Sequence, residues 1–240
     1  MVKRQVRSGS KGAPGLRRKM AKVVRVLDDL YGPEAWDGPR NPLDTLIKTI
    51  LSQNTNDVNR DRAYAGLRRR FATWEGVLGA DVEAIAEAIR PGGLANQKAR
   101  NIRDFLAWLK AERGALNLDF LCGMAPEEAV SLLCQRRGIG IKTVCVTLMF
   151  ACGKDVFPVD THIHRISRRL GLIPETCTAE RAHELLPPLI PEGKALSLHV
   201  NMLEFGRRVC HARNPDCDRC PLRAECLYVK RIAHSAWRMA

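Results

Sequence analysis

Three groups of residues in this 240-residue chain have types and spacings that could do chemistry. The first is RRGIGIKT, residues 136–143, where Gly138 and Gly140 stand one residue apart between two apolar-faced segments. Glycine permits positive φ and lets the backbone approach a ligand closely. The amides that open the following helix, through Thr143, present N–H groups to an anion such as a DNA phosphate. Such a grip holds the nucleic-acid backbone and reads no sequence. A plain interhelical turn fits the same residues. Lys142 falls in the first turn of that helix, where the helix dipole opposes its charge. Dipole and desolvation together favour a neutral amine, and a neutral amine can attack carbon and form a Schiff base. The alternative is a surface lysine that snorkels or binds phosphate.

The second group is FPVDTHIHR, residues 157–165. Asp160 separates an extended apolar stretch from a helix, and Asp is a preferred N-cap. The functional reading is a carboxylate held rigidly at a helix start. His162 and His164 have no further ligand types nearby and are read as structural or as supporting a neighbouring site residue. The third group is CHARNPDCDRCPLRAEC, residues 210–226, with Cys210, Cys217, Cys220 and Cys226 spaced C-x6-C-x2-C-x5-C. Zinc sites usually use two close pairs. Here one close pair is flanked by single cysteines, a loop suited to wrapping one compact object with the four thiolates that a [4Fe–4S] cube needs. Structural zinc stays open on spacing alone. Arg213, Arg219 and Arg223 lie among these cysteines, placed to offset negative charge or to meet phosphate. Cys122, Cys134, Cys145, Cys152 and Cys177 are expected to be buried small apolar residues. No disulfide framework is expected, because an intracellular chain keeps its thiols reduced.

The elements that must position these groups all read as helices. Apolar residues recur at helical spacing, as in Leu16, Met20, Val23, Leu27 and Leu30, and again in Leu43, Leu46, Ile47, Ile50 and Leu51. Further helices are expected around 64–71, 82–89, 102–109, 126–133, 141–152, 160–170, 178–189 and 194–208. The stretches 32–42, 52–57, 90–99 and 136–140 are rich in Gly, Pro, Asn or Ser and read as breaks. No convincing strand is present, and the fold class is all-α. Lys and Arg number 39 against 26 acids, a net charge of +13. That surplus suits a polyanion, with nucleic acid the default. No run of eighteen apolar residues marks a membrane span. The N-terminal segment lacks the apolar core of a secretory signal, so an intracellular, DNA-associated protein is expected. Nine Lys or Arg and no acid lie between Met1 and Leu27, which fits an arm that touches DNA.

Taken together, these residues resemble the endonuclease III family of base-excision DNA glycosylases. The resemblance rests on GIGIKT, on the eighteen residues from Lys142 to Asp160, on VDTHIHR and on the cysteine spacing. LIKTILSQNTND and GGLANQKARNI match in the same order, so it runs from about Leu16 to Tyr228. It implies two helical lobes with a DNA-binding cleft between them. A six-helix lobe, 36–153, would carry the helix-hairpin-helix. Residues 16–35 and 154–228 would form the iron–sulfur lobe, with 1–15 a flexible basic arm and 229–240 a tail without a reading. The resemblance further implies that Lys142 and Asp160 are catalytic and that Gly138, Gly140 and Thr143 grip DNA. Leu94 would wedge into the stack, and Gln53 or Asn54 would face the orphaned base. The four cysteines would hold a [4Fe–4S] cluster. The implied partner is double-stranded DNA with a damaged base or abasic site, and the implied protein is a monomer. The implied activity is a glycosylase with lyase activity on oxidised pyrimidines. The alternatives are a monofunctional glycosylase for mismatched uracil or thymine or for alkylated bases, and a non-catalytic DNA-binding module. The chain departs from the family at Arg136 and Arg137, which replace the usual Leu-Pro, at Ile141, often basic, and at Asn54, where the best-known members carry Gln. The double arginine is expected to remove an apolar anchor from the hairpin.

Overall fold

The computed structural model describes residues 14–237, with side chains through Ile232. Among the described residues there are thirteen α-helices and no strand. They are α1 (Pro14–Tyr31), α2 (Pro42–Leu51), α3 (Asp57–Arg70), α4 (Trp74–Gly79), α5 (Val82–Ala88), α6 (Ala95–Arg113) and α7 (Phe120–Gly123). After these come α8 (Pro126–Leu133), α9 (Ile141–Cys152), α10 (Thr161–Leu170), α11 (Ala179–Leu185), α12 (Ala195–Arg208) and α13 (Leu227–Trp237). The basic arm expected over 1–15 lies outside the described residues, apart from Pro14 and Gly15, which open α1. Local chemistry starts the helices where polar caps stand. Asn41 accepts from the Asp44 amide ahead of α2, Asn56 from Asn59 ahead of α3, and Thr178 from Arg181 ahead of α11. Each such cap stabilises its helix by about 0.5–2 kcal/mol. The tail left without a reading, 229–240, falls largely within α13. No helix among the described residues is long and apolar enough to cross a membrane.

The chain divides into two compact units, one continuous from Asp37 to Lys154 and one made of the residues up to Trp36 together with those from Asp155 onward. In the continuous unit, α2 packs against α9, α5 against α6 and α8 against α9. Leu46, Ile47 and Ile50 of α2, Ile102 and Leu106 of α6, and Val144 and Leu148 of α9 are fully buried there. Burying each such side chain stabilises the fold by about 1.5–3 kcal/mol. In the discontinuous unit, α12 packs against both α1 and α10. Met20, Val23 and Leu27 of α1 are fully buried, as are Leu198 and Met202 of α12. A polar clasp joins α1 to α12. Asp28 accepts from Ser197 Oγ (2.6 Å) and Asn201 Nδ2 (3.1 Å) at one oxygen and from Lys194 Nζ (3.0 Å) at the other.

The expectation for the isolated cysteines needs correction. Cys122 of α7 and Cys152 at the end of α9 form a disulfide, with Cα atoms 4.9 Å apart. Their separation of 30 residues hides a proximity that exists because the single-turn α7 packs on α9. Cys134 is exposed and Cys177 half-buried, whereas Cys145 is buried as expected. Burial pushes the Cys145 thiol up to about 12.

Candidate active site and cysteine loop

The hairpin turn in the continuous unit is closed by backbone bonds from Arg136 N to Leu133 O (2.9 Å) and from Ile139 N to Arg136 O (3.2 Å). Gly138 has φ +79°, and a β-carbon there would collide with the side chain of Asn101, itself buried in α6. Glycine is required on both counts. The expected loss of an apolar anchor is only partly realised. Ile139 is buried and supplies one, while the Arg136 guanidinium lies 5.0 Å over the Trp108 ring. Cation–π stacking of this kind lets a charged side chain cover an apolar surface. Arg137 is exposed. Gly140 is the N-cap of α9, and Lys142 sits half-buried in its first turn. Thr143 is buried, and its amide donates to Gly140 O (2.9 Å), so that N–H serves the helix's own first turn.

Two loop tips lie in the same unit. Gln53 reaches the hairpin, its Nε2 donating to Gly138 O at 3.0 Å. Its neighbour Asn54 is exposed with φ +54°. Leu94 stands at the N-cap position of α6 with φ 49° and ψ 35°, and is 52% exposed. An exposed leucine in the left-handed region is doubly unfavourable, with a backbone cost of about 1–3 kcal/mol, and such strain clusters at functional sites. Behind both tips lies Lys98, only 2% exposed, whose ammonium donates to Leu51 O (2.8 Å), Gln53 O (2.6 Å) and Gly92 O (2.8 Å). Burial lowers its pKa.

In the discontinuous unit, Asp160 is half-buried and caps α10, its Oδ1 accepting from Ile163 N at 2.8 Å. Two histidines hold the extended run before it. Val159 N donates to His183 Nε2 (3.0 Å), and His183 Nδ1 faces Ala179 O (2.9 Å). This pairing assigns the proton to Nδ1. His199 is buried, with Nδ1 3.1 Å from Pro158 O and its ring edge-on to Phe157. His162 packs on Gly206 of α12, where a β-carbon would crowd its ring, and His164 meets Cys177 O at 2.7 Å. Both make the structural contacts expected of them.

The helix that Asp160 caps also holds the cysteine loop. Arg165 donates to Gly206 O (3.1 Å) and Cys210 O (2.8 Å). Arg169 donates to Cys210 Sγ (3.3 Å), His211 O (2.6 Å) and Ala212 O (3.0 Å), and the Cys226 thiol meets its carbonyl at 3.4 Å. Arg169 thus touches both the first and the last cysteine of the run. Cys210, Cys217, Cys220 and Cys226 all line one pocket, with Phe205 and Leu222 among its apolar walls. Among the described residues no group of three or more His, Cys, Asp or Glu is placed to hold a metal ion. Burial raises the Cys217 and Cys220 thiols, the latter to about 11, with neighbouring thiols adding to it. Thiols of this kind ionise when a cation or cluster binds them. Of the arginines within the loop, Arg213 and Arg219 are exposed, whereas Arg223 turns back onto Cys217 O (2.9 Å) and Asp218 (2.7 Å).

Sequence reasoning missed Lys98, His183, His199, Arg165 and Arg169. For two of them a signal existed. Lys98 falls in register with Ile102, Phe105 and Leu109 on the buried face of α6, and His199 lies on the buried face of α12 beside Leu198 and Met202. A polar residue on a face that periodicity buries must find partners.

A helical fold with a glycine hairpin, a helix-capping aspartate and a four-cysteine loop defines a recognisable class. Residues 47–192 match the profile described as HhH-GPD superfamily base excision DNA repair protein. The chain belongs to this superfamily. It is 38% identical over 190 residues to a putative DNA glycosylase of Arabidopsis thaliana, covering 75% of this chain and 64% of that protein. It is 35% identical over 198 residues to endonuclease III of Thermotoga maritima, covering 80% of this chain and 88% of that one. The match thus spans less than two thirds of the plant relative's length. Among solved structures, endonuclease III in a non-covalent complex with DNA aligns with a TM-score of 0.77 at 26% identity, covering 91% of this chain and 98% of that one.

Proposed function

We propose that the protein is a DNA glycosylase with abasic-site lyase activity that removes damaged pyrimidines, oxidised ones foremost, from duplex DNA, acting as a monomer. The observation that carries this reading is Lys142 in the first turn of the helix that follows the hairpin, in a chain that also caps a helix with Asp160. In this mechanism the damaged nucleotide leaves the stack, which costs a few kcal/mol and is easier for a damaged base. Asp160 accepts the Lys142 proton or stabilises positive charge growing at C1′. Lys142 Nζ bonds to C1′ as the bond to the base breaks, and the base departs with the electron pair and takes up a proton. The C1′–O4′ bond of the sugar then breaks as O4′ takes up a proton, which gives the Schiff base; this acidifies the 2′ carbon, loss of that proton expels the 3′ phosphate, and water releases Lys142. Leu94 fills the vacated stack, as apolar wedges do, and Gln53 and Asn54 face the unpaired partner base. Gly138 and Gly140 shape the backbone grip. Thr143 contributes by fixing the first turn, since its amide is already bonded to Gly140.

Cys210, Cys217, Cys220 and Cys226 would hold a [4Fe–4S] cluster, whose contribution when bound is to fix the fold of a basic loop. Four thiols lining one pocket among apolar residues, at a spacing with only one close pair, support a cluster over zinc. Purified protein is expected to be brown, with about four irons per chain. A colourless protein with one zinc overturns the assignment. Borohydride trapping on a thymine-glycol duplex tests the activity. A covalent adduct is expected with the natural chain and none with Lys142→Gln, and an adduct that survives the substitution rules out Lys142 as the nucleophile.

A further inference from the structure

Lys98 is a fully buried amine whose partners are all neutral. Its three protons meet three carbonyl oxygens, those of Leu51, Gln53 and Gly92, at 2.6–2.8 Å. A neutral amine has only two N–H donors, so this set is complete only for the ammonium. Burying an ammonium is costly, and a methionine would fill the same volume without that cost. The three carbonyls belong to the end of α2, to the residue before Asn54, and to the turn two residues before Leu94. Asn54 and Leu94 are the two non-glycine residues of the continuous unit with positive φ. The Lys98 amide is tied to the second tip as well, donating to Leu94 O at 2.9 Å at the start of α6. Gly92 has little room for a side chain, since a β-carbon there would stand 3.1 Å from Ala63 Cβ.

From this geometry we infer that Lys98 is a positioning residue: its ammonium locks the Asn54 and Leu94 tips in their left-handed conformations and thereby governs base extrusion, while taking no part in the chemistry at the sugar. The inference rests on the proposed glycosylase reading. A leucine relaxes out of the left-handed region once its flanks are released, whereas an asparagine tolerates that region and is loosened rather than reversed. Relaxation at Leu94 swings the wedge off its line, and loosening at Asn54 moves the residues facing the unpaired base. A damaged base must be extruded against its stacking energy, so its release needs both tips. A preformed abasic site has no base to extrude and needs them far less.

The test compares two substrates in the full-length chain, a thymine-glycol duplex and the same duplex with a preformed abasic site. Lys98→Met is expected to slow base release by about thirtyfold or more while strand cleavage at the abasic site stays within about threefold. A 2-aminopurine beside the lesion, which brightens on unstacking, should lose its signal change in parallel with base release. Combining Lys98→Met with Leu94→Ala should cost little more than the larger single loss, because both remove one wedge. Equal losses on both substrates, multiplicative losses in the double variant, or an unchanged 2-aminopurine response would overturn the inference. Lys98→Gln, which keeps two N–H donors, is measured alongside and is expected to fall between the natural chain and Lys98→Met. It decides by the same ratio if the methionine variant does not fold. If the natural chain itself releases no base, the glycosylase reading fails, while the 2-aminopurine signal on abasic duplex still reports whether Lys98 sets the tips.

Discussion

Asp160 shows how one side chain can hold two jobs. Its Oδ1 caps α10, and the same carboxylate is the proposed partner of Lys142 in catalysis. The jobs separate under substitution, because asparagine caps a helix about as well as aspartate does but cannot accept a proton. Asp160→Asn should therefore melt within about a degree or two of the natural chain yet release base about 100-fold or more slowly. Asp160→Ala should lose the same activity and also about 1 kcal/mol of stability. Calorimetry beside a base-release assay distinguishes them, and an asparagine variant with full activity would remove Asp160 from the mechanism. Residue types placed Lys142 in a first helical turn and Asp160 at an N-cap, and only the ordered resemblance paired them as a candidate catalytic couple. Lys98 and His199 were silent for a different reason. Each sits in an apolar register where a reader expects packing, and only three-dimensional contacts reveal what its polar atoms meet.

At the scale of elements, helices with strong caps or long periodic faces were readable, among them α2, α3, α9, α10 and α11. The six-residue α4 and the four-residue α7 were not, because neither is long enough for a 3.6-residue period to repeat twice. Missing α7 also concealed the Cys122–Cys152 bond, which ties that turn to the far end of the helix bearing Lys142. Closing a loop of this length restricts the unfolded chain and stabilises by about 2–4 kcal/mol. Replacing both cysteines with serine should lower the melting temperature accordingly, and a reducing agent should do the same to the natural chain. An identical melting curve with and without reductant, at full thiol titration, would show that the bond contributes nothing.

For the molecule as a whole, the net charge of +13 overstates what DNA can use. Lys98, Arg165 and Arg169 spend their donors inside the fold, and Arg136 lies over Trp108. Composition could announce a polyanion partner but not which cations face it. Duplex affinity should fall linearly with salt on logarithmic axes, with a slope of about −0.9 per phosphate neutralised. Anisotropy titrations across salt concentrations measure that slope, and affinity that ignores salt would contradict the expected backbone grip. The clasp between Asp28 and α12 bears on biosynthesis. A ribosome delivers Asp37–Lys154 as one uninterrupted piece, able to collapse as it emerges, since domains generally fold as units during synthesis. Helix α1 is made before that piece but meets its partner only after it, its apolar stripe of Met20, Val23 and Leu27 waiting until α12 has been translated. For that interval α1 is an exposed flank of the nascent chain, and a place where a chaperone would meet it.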